Sequence, residues 1–338
     1  MIRVLQGDCR EVLRTLPDAS VHCCVTSPPY FGLRDYGIAE QIGLEPTPAE
    51  YVEQMVAVFR EVRRALRDDG TLWLNLGDSY ANDSKWGGSS SGKHVQALHG
   101  NTGIGRSRHT TGLKSKDLIG IPWRVAFALQ ADGWYLRQDI IWSKPNPMPE
   151  SITDRCTKAH EYVFMLSKAA RYFYDQDSIK EPAIYAGLTG QDDSGFKDAE
   201  NYAGKHGKVD KRLGTERPFN DRSGDLGVGT SASRRQGRNA VGDGATRNKR
   251  SVWTIATQPF AEAHFATMAP ELAETCIKAG CPVGGVVLDP FGGAGTTGLV
   301  ADRLQREAVL IELNPAYIDI AKRRISGDAP LFAEVEAA

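Results

Sequence analysis

The run Val286-Val287-Leu288-Asp289, the lead-in Pro290-Phe291, and the turn Gly293-Ala294-Gly295-Thr296-Thr297-Gly298 constrain this chain more than any other stretch. An apolar segment of strand length passes into a glycine turn of the form G-x-G-x-x-G. A helical pattern from Thr296 to Leu304 and a second apolar run from Ala308 to Leu313 follow. Strand, tight turn, helix and strand in that order make a parallel crossover unit, and parallel strands need helices over both faces of their sheet. The predicted class is therefore α/β, a doubly wound and mostly parallel sheet. With 338 residues and 41% hydrophobic content, the chain can bury one large core or two small ones.

The amino-terminal part repeats the rhythm. Ile2 to Leu5 reads as a strand ending at Gly7-Asp8, with a brief helix from Arg10 to Leu16. Asp8 suits a turn residue and a ligand contact equally, because open α/β sheets bind ligands at the carboxyl ends of their strands. Val21 to Val25 is the next strand. Thr47-Pro48-Ala49-Glu50 opens a helix whose Tyr51, Met55, Phe59, Val62 and Leu66 recur at helical spacing. Asp68-Asp69-Gly70 is expected to stop it before a strand from Thr71 to Leu76. A helix from Asp117 to Asp132 and strands from Trp134 to Trp142 and Glu161 to Leu166 follow, with Tyr172-Phe173-Tyr174 expected to pair with the last across a turn. Pro270 to Ala279 is a helix with proline in its first turn.

Two long stretches lack periodicity. Residues 81–116 interleave glycine and serine with Lys85, Lys93, Arg106, Arg108, Lys114 and Lys116, and residues 185–250 are likewise rich in glycine, serine, lysine and arginine. Loops this long inside a domain are uncommon and tend to be functional or disordered. The net charge is −1, so any attraction to an anionic partner is local to these segments. No apolar run approaches the roughly 18 residues of a membrane span, and Met1-Ile2-Arg3-Val4 leads straight into a strand, so neither anchor nor signal peptide is expected. The six cysteines form no CxxC pair and no zinc-spaced cluster. They read as reduced thiols in a cytoplasmic protein without a metal.

Thr26-Ser27-Pro28-Pro29-Tyr30 follows the strand Val21 to Val25. Two prolines stiffen the loop and cannot donate backbone hydrogen bonds, so the Ser27 side chain, the Ser27 and Pro28 carbonyls and the Tyr30 ring are offered from a rigid base. Acceptors beside an aromatic face suit the exocyclic amino group of a nucleobase. This loop and the Asp289 to Gly298 turn together resemble the amino-methyltransferases of DNA. Their order, reactive loop first and cofactor loop last, is similar to the circularly permuted beta class. The resemblance covers most of residues 1–180 and 250–325. It implies a Rossmann-like S-adenosylmethionine-dependent methyltransferase fold with an inserted recognition region, and methyl transfer to cytosine N4 or adenine N6 of a base flipped out of double-stranded DNA.

The division so implied is a catalytic half over 1–180, with 81–116 as its loop; a target-recognition region over 185–250; a cofactor-binding half over 251–325; and a tail over 326–338. Ser27, Pro28, Pro29 and Tyr30 are the expected catalytic residues. Asp8, Asp289, Phe291, Gly293, Gly295, Thr296, Thr297 and Glu312 are expected to bind the cofactor. In the family an aspartate at the position of Asp8 lies near the adenosyl group, and the segment holding His264 and Phe265 lines the methionine end, though His264 equally suits an interior position. Lys144 and Asn146 resemble residues near the substrate cleft. The glycine motif with an acid about 20 residues on also fits a dinucleotide site. Glu312 can accept from the ribose of either cofactor, whereas Asp289 would welcome an ammonium and disfavour a pyrophosphate. S-adenosylmethionine is therefore expected rather than NAD.

Ser-Pro-Pro-Tyr leans the expected target toward cytosine N4, with adenine N6 as the alternative. A methyltransferase of RNA or protein glutamine and a non-catalytic DNA-binding module are the other readings. A homodimer and a cognate restriction endonuclease are partners that the resemblance suggests.

Overall fold

The computed structural model describes residues 1–33, 38, 40–81, 112–183, 246–258, 260, 267–328 and 335–337. Its strands are β1 (Ile2–Gln6), β2 (Val21–Thr26), β3 (Leu66–Leu76), β4 (Tyr135–Ser143), β5 (His160–Ser167), β6 (Glu181–Pro182), β7 (Thr246–Arg247), β8 (Val252–Thr254), β9 (Val286–Asp289), β10 (Glu307–Glu312) and β11 (Val335–Ala337). The helices are α1 (Cys9–Thr15), α2 (Pro48–Ala65), α3 (Ile121–Ala131), α4 (Pro270–Gly280), α5 (Thr296–Arg303) and α6 (Pro315–Asp328). Nine strands make one sheet in the order β11-β1-β10-β9-β2-β3-β5-β4-β8. All neighbours are parallel except β5, which runs against both β3 and β4.

Alternation along the strands divides the interior in two. On one face Cys24, Leu72, Leu74 and Leu76 pack with α1, α2 and α3 through Leu13, Tyr51, Phe59 and Val125. On the other Cys23, Val25 and Trp73 pack with α4, α5 and α6 through Leu272, Leu299 and Ile325. The expected doubly wound sheet is thus present. Chain direction then locates a crevice: β9 leads through α5 on one face to β10, while β2 leads through α2 on the opposite face to β3. Between β9 and β2 the winding changes sides, and there the loops from the strand tips splay apart.

Several local expectations are revised. Asp68-Asp69-Gly70 does not separate helix from strand, because β3 already begins at Leu66. Val21 pairs with Leu66 but Cys23 with Thr71, so the extra residues between are a bulge in the parallel ladder. Helix α3 begins at Ile121, later than Asp117, because Gly120 turns the chain at φ 77° and the Asp78 carboxylate accepts from the N–H groups of Gly120 and Ile121. Tyr172-Phe173-Tyr174 does not pair with β5, whose two edges are taken by β3 and β4. Instead the Phe173 N–H donates to the Asp69 carbonyl, and Tyr174 stacks on Trp73 at 6.4 Å. The stretch read as a tail completes α6 and supplies β11, parallel to β1.

Met1–Ile179 and Lys249–Ala338 form one unit and Lys180–Asn248 a second. Within the second, β6 and β7 pair antiparallel and Arg247 Nε donates to Glu181 at 2.9 Å. Most of the expected 81–116 loop and 185–250 recognition region, together with His264 and Phe265, lie outside the described residues. No described helix is long and apolar enough to cross a membrane.

Candidate active site

Strands β1, β10, β9 and β2 point the same way, so the segments that follow them emerge along one edge of the sheet. They enclose a cavity of about 180 Å³. Its wall includes Asp8 after β1, Ser27 and Pro29 after β2, Phe291, Gly293 and Thr296 after β9, and Glu312 at the end of β10. Two loops separated by most of the polypeptide therefore share one space.

Asp289 is the fastening between them. Its carboxylate is 3% exposed and accepts from Thr26 Oγ1 and Thr297 Oγ1, each at 2.7 Å, and from the Phe291 N–H at 3.0 Å. Thr26 is the last residue before Ser27, and Thr297 belongs to the glycine motif. Burial raises the Asp289 pKa and the three donors only partly oppose it. Most of its accepting capacity is thus spent inside the protein, a task the sequence reading did not assign to it. Thr297 lies beneath the cavity as the other half of this link.

Glu312 accepts from the Gly293 N–H through one oxygen and the Asn314 N–H through the other, both at 2.8 Å. Burial raises its pKa against those two bonds, and the Asp289 charge adds to the rise. Asp8 caps α1 by accepting from the Arg10 N–H at 2.8 Å and pairs with the Arg10 guanidinium. Burial pushes its carboxyl up, but the bonds to Arg10 outweigh it and hold the group below its usual range. Both readings of Asp8 hold together: it caps the turn and lies on the wall.

The glycines have different reasons. Gly293 has φ +50° and faces open space, with only the Phe291 carbonyl within 4 Å of a built Cβ. Gly295, at φ +75°, caps α5, and a Cβ there would meet that of Ala321 at 2.8 Å. It permits close packing and is not on the cavity wall.

In the reactive loop the Pro29 carbonyl is occupied by the Tyr51 hydroxyl at 2.8 Å. Among the described residues no hydrogen bond is made to the Pro28 carbonyl. The Tyr30 hydroxyl donates to Glu161 at 2.7 Å and lies 3.3 Å from Ser27 Oγ. Burial and the Glu161 charge raise its pKa well above the usual phenol value. Glu161 pairs with Lys144 and accepts from Asn75 Nδ2 at 3.2 Å. Asn146, expected near the substrate cleft, exchanges two hydrogen bonds with the Thr257 backbone and fastens that segment to the end of β4.

Sequence reasoning missed Asn75 and Glu161, and the wall residues Gln41, Met268 and Asn314. Asn75, 3% exposed between Leu74 and Leu76, carried a signal, since an amide in a buried strand needs partners. Cys9, on the wall, is pushed up to about 12 by burial and is no thiolate nucleophile. No group of acidic, histidine and cysteine side chains able to hold a metal occurs among the described residues.

The charge of the wall decides between the two cofactor classes. Asp8, Glu40, Asp289 and Glu312 line it, with no lysine or arginine among the described lining residues. Such a wall repels a pyrophosphate and suits a ligand carrying a sulfonium and an ammonium.

A family model described as DNA methylase matches residues 21–323. The type II methyltransferase M.XycI of Xanthomonas campestris pv. cyanopsidis is 43% identical over 335 residues, covering 99% of this chain and 91% of that protein. The chain belongs to the DNA methylases of the N6/N4 family. The fold agrees with solved methylases. A DNA modification methylase from Thermus thermophilus, crystallised with S-adenosylmethionine, superposes with a TM-score of 0.56 at 24% identity over 100% of both chains. The cytosine-N4-specific PvuII DNA methyltransferase superposes at 0.58 with 18% identity, over 96% of this chain and 86% of that one. This methylase is accordingly an S-adenosylmethionine-dependent amino-methyltransferase of DNA.

Proposed function

We propose that this methylase acts on the N4 amino group of a cytosine swung out of double-stranded DNA, in preference to adenine N6, with the reactive and cofactor loops in the beta-class order. The supporting observation is the fastening through Asp289, which sets Ser27 and Gly293 on one cavity. Asp8, Asp289, Phe291, Gly293, Thr296 and Glu312 would hold S-adenosylmethionine, which supplies an electrophilic methyl group on its sulfonium. Gly295 and Thr297 support that site from beneath.

An exocyclic amino nitrogen shares its lone pair with the ring, so acceptors on its N–H bonds must return electron density before it attacks a methyl group. Ser27 Oγ and the Pro28 carbonyl serve as those acceptors. The Tyr30 ring packs its edge on Gly77, where a Cβ would approach to 2.5 Å, and provides the stacking face for the extruded base. Serine at the head of the Pro-Pro-Tyr loop favours cytosine, as the family resemblance implies. The basic stretches 81–116 and 185–250 supply DNA contacts, the latter reading the target sequence.

The relatives' type II designation supports a cognate restriction endonuclease as a partner. A homodimer rests on the resemblance alone. Reduced cysteines, free among the described residues, suit a cytoplasmic setting.

Incubation of duplex DNA with labelled S-adenosylmethionine, followed by mass spectrometry of the nucleosides, tests the target. The expected product is N4-methylcytosine. N6-methyladenine would overturn the base assignment, and label on RNA or protein with none on duplex DNA would overturn the substrate.

A further inference from the structure

We propose that Glu161 is a positioning residue for methyl transfer: by taking the phenolic proton of Tyr30 it turns Ser27 Oγ into an acceptor aimed at the target amino group. The inference rests on the reading of Ser27 as the group that receives an N–H bond from the base.

The direction of the hydrogen bonds carries the argument. A phenol has one proton, and Tyr30 Oη has a carboxylate oxygen of Glu161 at 2.7 Å and the amide oxygen of Asn75 at 3.3 Å. The nearer, charged acceptor takes it. Burial keeps the phenol protonated, so Glu161 receives a bond rather than facing a phenolate. Tyr30 Oη is left with lone pairs only, and Ser27 Oγ lies 3.3 Å away. The serine hydroxyl then donates toward Tyr30, and its own lone pairs turn to whatever else approaches. The distance is long for a hydroxyl pair, as is common before a substrate draws such groups together.

Two features hold the arrangement. Glu161 is anchored by Lys144, with side chains 16% and 18% exposed, and by Asn75 Nδ2, which also donates to the Tyr162 carbonyl at 3.1 Å. The Tyr30 ring is seated against the Gly77 backbone, which has no Cβ to displace it. A neutral serine is a weaker acceptor than a carboxylate. Here a carboxylate stands two hydroxyls behind it, and polarisation along such a chain strengthens each bond.

The test is single-turnover methyl transfer to duplex DNA at saturating S-adenosylmethionine, with cofactor affinity measured by calorimetric titration. Tyr30→Phe and Glu161→Gln are each expected to slow transfer about ten- to a hundredfold, within the range of misaligned proton-handling groups, with cofactor affinity and the KM for DNA unchanged. Because both break one chain, the double variant should be no slower than the slower single. Losses that multiply, or a parental rate in Tyr30→Phe, would overturn the proposal. Should Glu161→Gln fail to fold because Lys144 loses its partner, Tyr30→Phe decides, since it removes one oxygen and keeps the ion pair. Ser27→Ala separates the two levels. A parental rate in Ser27→Ala refutes the role of Ser27 itself, whereas a slow Ser27→Ala beside a parental Tyr30→Phe refutes only the link to Glu161.

Discussion

Glu312 shows at the scale of one residue how burial and function pull against each other. Burial disfavours its charge, and the neighbouring Asp289 adds to that, so its pKa is raised despite the Gly293 and Asn314 N–H bonds. A raised carboxyl is favoured in the fold in its neutral form: its contribution to stability is complete below the ordinary glutamate range and is lost as pH rises through the folded value. Ribose hydroxyls donating to it would favour the charged form instead. Affinity for S-adenosylmethionine should therefore climb with pH from the ordinary glutamate range up to that raised value and then level off. Calorimetric titration across mildly acidic to neutral pH checks this. Glu312→Gln should bind more weakly throughout and lose the slope, and a flat parental profile would remove Glu312 from the ribose. The position of this carboxylate was legible because spacing from a glycine motif is a property of the chain. That Asp289 would be largely consumed by two threonines was not legible, since Thr26 lies 263 positions from it.

Among elements, the turn into α5 separates two reasons for glycine that a motif cannot distinguish. Gly295→Ala puts a methyl group 2.8 Å from the Ala321 Cβ on α6, at φ +75°. Overpacking and left-handed strain together should lower stability by about 2–4 kcal/mol, read as a fall in the unfolding midpoint. Gly293→Ala meets no such neighbour, so only about 1 kcal/mol of backbone strain is expected. Its added methyl lies on the cavity wall, and the main loss should be in cofactor affinity. Equal losses of both kinds in both variants would contradict the distinction. The strands and helices themselves were mostly legible, because apolar periodicity reports which side is buried. The failures share a cause. Asp68-Asp69-Gly70 reads as a stop locally, yet pairing with β2 carries the chain through as a bulge. Tyr172-Phe173-Tyr174 has strand chemistry, but β5 had no edge left to offer.

For the whole molecule the central fact is that β9 and β10, late in the chain, insert between β1 and β2 from its start. The sheet closes only when both ends have folded, and Asp289 is the polar bond across that junction. Replacing either threonine by valine keeps its shape and removes one donor. Thr26→Val and Thr297→Val should each lower the unfolding free energy by about 1.5–3 kcal/mol, the range for a hydrogen bond to a charged group. Urea unfolding measures this. The double variant should lose less than the sum, because a carboxylate stripped of its donors takes up a proton, and the cost of protonation caps the cost of leaving it charged. Burial already raises the Asp289 pKa, and losing both threonine donors raises it further. Stability of the double variant should then be greatest in mild acid and fall as pH rises through that higher value. Additive losses with no added pH dependence would mean that the threonines act separately, and that the two loops are held together by packing rather than by one shared carboxylate.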